Sequence, residues 1–257
     1  MAAAPSNRGS NALMADYRQY ESQAVRPGVD SREIDEGLRA YMLKVYNYMG
    51  LGVALTGVVA LAVANLAVSN PAFAQTLYGT PLRWVVMLAP LAFVLVLSFG
   101  INRLSTGAAQ AVFWAFAAVM GLSLSSIFLV YTGASIAQTF FVTAAAFGAL
   151  SLWGYTTKRD LSGMGTFLFM GLIGLIIAMV VNIFLQSSAL QFAISAIGVL
   201  IFAGLTAYDT QRIKEEYAYV AHDGTLMAKS AIMGALSLYL DFVNLFMFLL
   251  SFMGNRE

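Results

Sequence analysis

Charged residues divide the chain into long apolar intervals, each of a length that suits helices crossing a membrane. A helix needs roughly 20 apolar residues to cross about 30 Å of hydrocarbon, and a charge at its centre is costly. The pattern therefore predicts an all-α membrane protein with seven transmembrane helices. They are expected near residues 45–68, 84–101, 108–130, 136–156, 164–185, 189–210 and 230–253.

Two of the charge-free intervals are too long for a single helix. Residues 131–135 and 186–188 are turn-like and polar, and each divides one such interval into two spans. Glycines such as Gly121, Gly148 and Gly204 fall inside the predicted helices. There they would let neighbouring helices approach closely in lipid.

The polar N-terminal segment has charges of both signs and no apolar stretch of the signal-peptide type. We expect a flexible polar tail over residues 1–40, followed by a seven-helix transmembrane domain over residues 41–257.

Basic residues fall in the tail and in alternate connections between the predicted helices. The basic connections contain Arg103, Lys158, Arg159, Arg212, Lys214 and Lys229, whereas the other side has Arg83 and Arg256. Short cytoplasmic loops are enriched in lysine and arginine. The pattern therefore predicts a cytoplasmic N-terminus and a C-terminus outside the cytoplasm.

Composition narrows the function classes. Of 257 residues, 60% are hydrophobic and 11% charged, whereas an ordinary soluble domain has about 25% charged residues. Because 14 basic residues face 13 acidic ones, there is no basic excess for nucleic acid. Cysteine is absent and His222 is the single histidine, and no nucleophile, metalloprotease or phosphate-loop motif occurs. We expect neither an enzyme nor a bound cofactor.

Two carboxylates, Asp209 and Asp241, interrupt apolar spans. Ionisable residues inside transmembrane helices mark functional sites by default. Asp241 is the sharper candidate, because no other charge occurs within residues 230–254. Asp209 has a simpler alternative, since Arg212 at i+3 would form an ordinary helix-end ion pair with it.

The spacing of the two aspartates predicts that they meet. Residues 222–225 are the clearest turn and N-cap signal between the last two helices, and Asp209 and Asp241 lie 16 residues before and after Thr225. Antiparallel helices rising about 1.5 Å per residue would bring the carboxyl groups to one height. Carboxyl groups in contact cannot both ionise cheaply, so they would share a proton and act as a pH-sensitive switch.

The depth of this pair follows from its neighbours. The charges at residues 212–216 indicate that the sixth helix leaves the membrane soon after Asp209. We therefore expect the pair a turn or two inside the cytoplasmic boundary, beside a wet cavity, with the hairpin projecting beyond the membrane.

Four segments have a recognisable family pattern: FAGLTAYDTQRIK at 202–214, ALSLYLDFVNLF at 235–246, and the shorter runs 121–126 and 154–161. On these segments the chain resembles the transmembrane Bax-inhibitor-motif family, in its bacterial Bax inhibitor-1-like branch of inner-membrane proteins. The resemblance covers nearly everything from about residue 38 to residue 252.

The resemblance implies a fold in which the last helix is central and wrapped by two groups of three. It also implies a pH-sensitive calcium leak, with Asp209 and Asp241 as the pH-sensing pair and transient calcium ligands. A basic residue after the second helix, most nearly matched by Arg103, would latch the path. From the residues alone, Arg103 is an ordinary loop residue of the positive side.

The leading hypothesis is therefore a proton-regulated calcium path in the inner membrane, whose partners are calcium ions, protons and the lipid bilayer. One alternative is a membrane interaction protein that modulates a membrane protease, another membrane protein or a stress response without conducting ions. Another is a proton-coupled transporter that uses the pair as its proton relay.

Overall fold

Helices account for nearly all of residues 31–255, the part of the chain that the computed structural model describes. Their bounds are α1 Ser31–Ser69, α2 Pro71–Gly79, α3 Leu82–Gly100, α4 Thr106–Leu124, α5 Gly133–Thr156, α6 Ser162–Leu185, α7 Ser188–Val220 and α8 Gly224–Met253. A 3₁₀ turn over Ser125–Leu129 follows α4. Within these residues, seven helices, all except α2, are long and apolar enough to cross a membrane.

Polar side chains cap the starts of the helices and thereby set their boundaries. The N-cap side chains accept hydrogen bonds from backbone N–H groups of the first turn, which have no partner inside the helix. These N-caps are Asn70, Ser105, Thr132, Ser187 and Asp223. At the end of α6, Gln186 adopts the left-handed conformation (φ 49°) that turns the chain into α7.

The seven predicted spans are confirmed, with differences at their ends. Helix α1 begins at Ser31, so residues 31–40 of the predicted tail are helical; residues 1–30 lie outside the described residues. Residues 71–79 form a short helix instead of a loop, because Asn70 caps it and Pro71 stands in its first turn.

Helix α8 lies at the centre of the unit formed by residues 41–257. It packs against α3, α4, α5 and α7, and 56% of its most apolar window is buried, against 11–33% in the other spans. Its Tyr239 hydroxyl also hydrogen-bonds the Thr56 hydroxyl of α1 at 2.6 Å. The central position that the family resemblance implied is therefore confirmed.

The other spans form two groups around α8. In the first, α3 packs on α4, and Gly121 of α4 lies so close to α1 that an added Cβ would approach the Thr56 carbonyl to 2.6 Å. In the second, α5 and α6 both pack on α7. The expected arrangement of two groups of three is thus present.

Successive spans alternate in direction, which defines two ends of the bundle. The turn between α7 and α8 at residues 221–223 lies at one end, with the connections 101–105 and 157–161; we call this end the hairpin side. The connections 70–81, 130–132 and 186–187 lie at the other end with the end of α8, which we call the C-terminal side.

Candidate functional site

The site is built on the antiparallel hairpin of α7 and α8. Asp223 caps α8, its Oδ1 accepting from the N–H groups of Thr225 at 2.7 Å and Leu226 at 3.1 Å. The hydrogen bonds from Leu226 and Thr225 hold the pKa of the Asp223 carboxyl below its usual value. A polar, ionised cap thus fixes where the two long helices turn.

The structure places the Asp209 and Asp241 side chains next to each other across α7 and α8, at the wall of one cavity. The turn lies slightly earlier than the equal-arm argument assumed: Ile213 packs beside Gly234, and the hydroxyls of Ser195 and Ser251 are 3.0 Å apart. This register leaves Asp241 about one helical turn farther from the hairpin than Asp209.

The direction of the side chains closes that gap. Every Cα–Cβ bond of an α-helix tilts toward the helix N-terminus. On α7 this tilts Asp209 away from the hairpin, and on α8 it tilts Asp241 toward the hairpin, so the two carboxyl groups lean toward each other.

Both aspartates are buried, with exposed fractions of 9% for Asp209 and 4% for Asp241. The Oδ2 atom of Asp241 is buried and accepts no hydrogen bond from an N–H or O–H donor in the described residues. A carboxylate oxygen is costly to bury in this way. A proton held by one carboxyl group would satisfy the contact, because it converts the acceptor pair into an O–H···O hydrogen bond.

Arg212 joins the pair from the hairpin side. Its Nη2 lies 3.2 Å from Asp209 Oδ1 and donates to the Ser237 hydroxyl of α8 at 3.1 Å, and its guanidinium lies 5.8 Å from the Tyr208 ring centre. The i+3 ion pair anticipated as a simpler role for Asp209 is therefore present. It belongs to the same site as Asp241, so the two interpretations of Asp209 are compatible.

A cavity of about 670 Å³ lies beside the pair, between α6, α7 and α8. Arg212 and Ser237 line its hairpin end, and Asp209, Asp241 and Asn244 follow. The α6 wall is mostly apolar: besides Gly165 and Thr166 it contains Phe169, Leu172, Leu175, Ile176 and Met179. A cavity is therefore present beside the pair, with its charged groups on α7 and α8. That water fills it stays a prediction.

The pair lies level with the ends of the neighbouring helices. Gly154, near the end of α5, packs against the backbone of Ala207, and Gly165, near the start of α6, packs against Tyr208. Beyond Asp209, α7 continues to Val220, a further 16 Å or so at 1.5 Å per residue. The hairpin therefore extends past α5 and α6. Its projection beyond the membrane, which the charges at 212–216 indicated, stays a prediction.

Arg103, the candidate latch, lies elsewhere. It is exposed in the turn between α3 and α4, and the structure does not bring it to the carboxyl pair. In the described residues the ion pair to the site comes from Arg212 instead. The latch role of Arg103 stays a prediction.

Two hydrogen-bond networks around Asp209 were not predicted from the sequence. The hydroxyls of Tyr46, Ser151 and Thr210 form a chain, at 2.6 and 2.9 Å, that links α1, α5 and α7. The sequence shows these hydroxyl residues among apolar helix positions. The sequence of one span does not show whether such a residue faces another helix or the surroundings of the bundle.

The second network is a clamp on residues 157–161, the loop between α5 and α6. Gln211 accepts from Leu161 N–H and donates to the Arg159 carbonyl, both at 2.8 Å. Lys214 donates to the Tyr155 carbonyl in the last turn of α5, just before this loop, at 2.8 Å. The residues after Asp209 thus hold this loop, and the QRIK segment alone gave no indication of it.

Together these features define a polytopic membrane protein with a titratable carboxyl pair in the interior of a seven-helix bundle. The family model described as inhibitor of apoptosis-promoting Bax1 matches residues 38–257. The chain therefore belongs to this Bax inhibitor family, which confirms the resemblance carried by the segments around Asp209 and Asp241.

Bacterial proteins that are similar to most of this chain support the family assignment. A protein of Rickettsia prowazekii is 50% identical over 227 residues, which cover 88% of this chain and 94% of the relative. The inner membrane protein YbhL of Escherichia coli is 50% identical over 223 residues, 86% of this chain and 94% of YbhL. A Caulobacter vibrioides protein is 48% identical over 250 residues, 95% of this chain and 100% of the relative.

Proposed function

We propose that the protein is a pH-sensitive calcium leak of the inner membrane, controlled by the Asp209–Asp241 pair, with its N-terminus in the cytoplasm. The observation that carries the proposal is the contact between two buried carboxyl groups at the wall of a cavity. The name of the Escherichia coli relative, an inner membrane protein, supports the location.

The chemistry of the pair suits a switch between two states. With one proton shared between them, the carboxyl groups carry a single negative charge, which the neighbouring Arg212 guanidinium offsets, so the site offers little net charge to a cation. Once the pair is ionised, its oxygens are the ligand type that calcium prefers, and Arg212 at 3.2 Å competes with the cation for Asp209.

The number of oxygen ligands near the pair suits transient contact with calcium better than a stable calcium site. Calcium takes 6–8 oxygen ligands in its protein sites, and no cluster of three or more acidic, histidine or cysteine side chains occurs in residues 31–255. Two carboxyl groups with the neutral oxygens of Ser237 and Asn244 nearby would contact calcium transiently.

The test is calcium flux into dye-loaded liposomes containing the purified protein, measured over a series of pH values. Asp209→Asn and Asp241→Asn should each flatten the pH dependence while leaving a folded protein, because the amide keeps the shape but does not titrate. Glu215→Gln is the matched control. Glu215 is an exposed carboxylate on the same helix, α7, and does not line the cavity, so its variant should keep the wild-type profile.

A second outcome would replace the proposal. If the wild type passes no calcium at any pH while both aspartate variants fold normally, the leak is wrong. The protein would then be a membrane interaction protein whose aspartates stabilise the bundle by sharing a proton, and whose working surface is the projecting hairpin.

A further inference from the structure

The residues between α7 and α8 form a ladder that continues beyond the carboxyl pair. On α7 the facing positions are Gln191, Ser195, Gly198, Phe202 and Asp209; on α8 they are Ser251, Phe248, Asn244, Asp241 and Ser237. Steps of three and four residues, or seven, keep each set on one side of its helix. The two sets face each other, as the contacts between Ser195 and Ser251 and between Phe202 and Phe248 show.

The chemistry along this ladder changes in three stages. The hairpin side has the charged and polar groups of the cavity described above. The C-terminal side has a neutral polar cluster: Ser195 donates to the Ser251 hydroxyl at 3.0 Å, and the Gln191 amide donates to the same oxygen at 3.4 Å. Asn182 of α6 joins by donating to the Gln191 side chain at 3.1 Å.

Two stacked aromatic rings separate these polar stages. The rings of Phe202 and Phe248 have centroids 5.7 Å apart and an interplanar angle of 25°, and both line the cavity at the end away from Arg212. Phe248 also lies directly on Gly198, where an added Cβ would approach the ring to 2.6 Å. The rings therefore leave no room between the two helices at this level.

We propose that Phe248, stacked on Phe202 and seated on Gly198, is the barrier that closes the cation path between the carboxyl cavity and the Gln191–Ser195–Ser251 cluster. A hydrated cation cannot pass two packed rings without losing water that the rings do not replace, and apolar constrictions close channels in this way. The inference rests on the proposed function for the identity of the ion, but it locates a barrier that the aspartates do not form.

Cysteine accessibility tests the barrier without calcium. The chain has no cysteine, so single replacements report alone. Ser237→Cys places a thiol at the hairpin end of the cavity, and Ser251→Cys places one in the neutral cluster. Tyr219→Cys lies at a hairpin residue that is 77% exposed, so its labelling shows which membrane face is the hairpin side. A charged, membrane-impermeant methanethiosulfonate reagent is added to one face of oriented membranes at a time.

With Phe248 intact, the thiol from Ser237→Cys should react from the hairpin side and the thiol from Ser251→Cys only from the opposite side. Adding Phe248→Ala should open the Ser251→Cys thiol to reagent from the hairpin side, whereas Phe248→Leu, which keeps apolar volume, should not. Phe202→Ala serves in its place if Phe248→Ala does not fold. Reaction of the Ser251→Cys thiol from the hairpin side with both rings intact would overturn the proposal, as would unchanged one-sided labelling after ring removal.

Calcium flux provides the second readout. Phe248→Ala should raise flux severalfold at pH values where the wild type is slow. Phe252→Ala is the matched control. The Phe252 ring also pairs across α7 and α8, with its centroid 4.9 Å from that of Phe192. Because Phe252 is 45% exposed, its loss should leave calcium flux unchanged. If Phe248→Ala opens the Ser251→Cys thiol to reagent from the hairpin side but no variant passes calcium, the barrier is upheld and the calcium leak is rejected. If calcium flux is normal and pH-dependent but the Ser251→Cys thiol reacts from the hairpin side with both rings intact, the leak is upheld and the barrier is rejected.

Discussion

Arg212 holds Asp209 at the hairpin end of the cavity, and it sets the electrostatic balance of the carboxyl pair. Its guanidinium is 3.2 Å from Asp209 Oδ1, and its side chain is 48% exposed. Solvent screens half-exposed charges, so such an ion pair adds little to stability. Its effect on the buried pair is more specific, because a nearby positive charge favours the ionised carboxylates.

Arg212→Gln should therefore move the midpoint of the pH-dependent flux to higher pH. Without the guanidinium, the carboxyl pair holds its proton more readily. Lys229→Gln removes a positive charge from the same side of the bundle, where Lys229 lies near Asp223 and the Asn102 carbonyl and does not line the cavity. This variant should leave the midpoint in place. Equal shifts in both variants would indicate a general charge effect and contradict the local one.

Much of the site could be predicted at this scale. Asp241 stands out because its span has no other charge, and Asp209 follows from its spacing to the turn. Equal arms about Thr225 predicted the contact but not the register, since side chains tilt along each helix and the two aspartates meet from positions about one turn apart. The role of Gln211 was out of reach, since its partners lie some 50 residues away in sequence.

At the scale of the helices, small residues set how closely α5 approaches α7. A Cβ on Gly154 would overlap the Ala207 backbone, whereas a Cβ on Gly148 of the same helix would have nothing within 4 Å. The sequence indicates glycines inside the helices but not which face of each helix a neighbour covers. Gly121 and Gly204 are close to neighbouring helices and Gly148 is not, because the helical period alone does not identify a partner.

Gly154→Ala should destabilise the bundle by about 1–3 kcal/mol, the usual cost of adding volume to a packed interior. Gly148→Ala should be close to neutral. Reversible unfolding in detergent measures both. Because Ala207 lies two residues before Asp209, Gly154→Ala should also alter the pH profile of flux, and an unperturbed, fully stable Gly154→Ala variant would contradict the close packing.

At the scale of the whole molecule, the number and limits of the spans were predictable because charges and caps delimit them. The central position of α8 was available only through the family resemblance, since every span is apolar and hydrophobicity does not reveal which helix the others surround. The early start of α1 and the short helix α2 were missed, because the former lies in a polar segment and the latter in an apparent loop.

The alternation of spans predicts termini on opposite faces of the membrane. A reporter at the N-terminus should be active in the cytoplasm and one at the C-terminus outside it. The reason is that the basic residues Arg103, Lys158, Arg159 and Lys229 share the hairpin side. Fusion reporters measure this directly. Finding both termini on one face would mean that one of the seven spans does not cross.

The clamp between Gln211 and the loop at 157–161 connects the two functions that were held as alternatives. If a partner protein binds this loop and loosens its bonds to Gln211, it acts on the helical turn that also positions Asp209. Thermodynamic linkage is reciprocal: a partner that changes the proton affinity of the carboxyl pair must itself bind with an affinity that varies with pH by the same factor. A pH-dependent complex and a pH-dependent leak would then be two expressions of a single coupling energy.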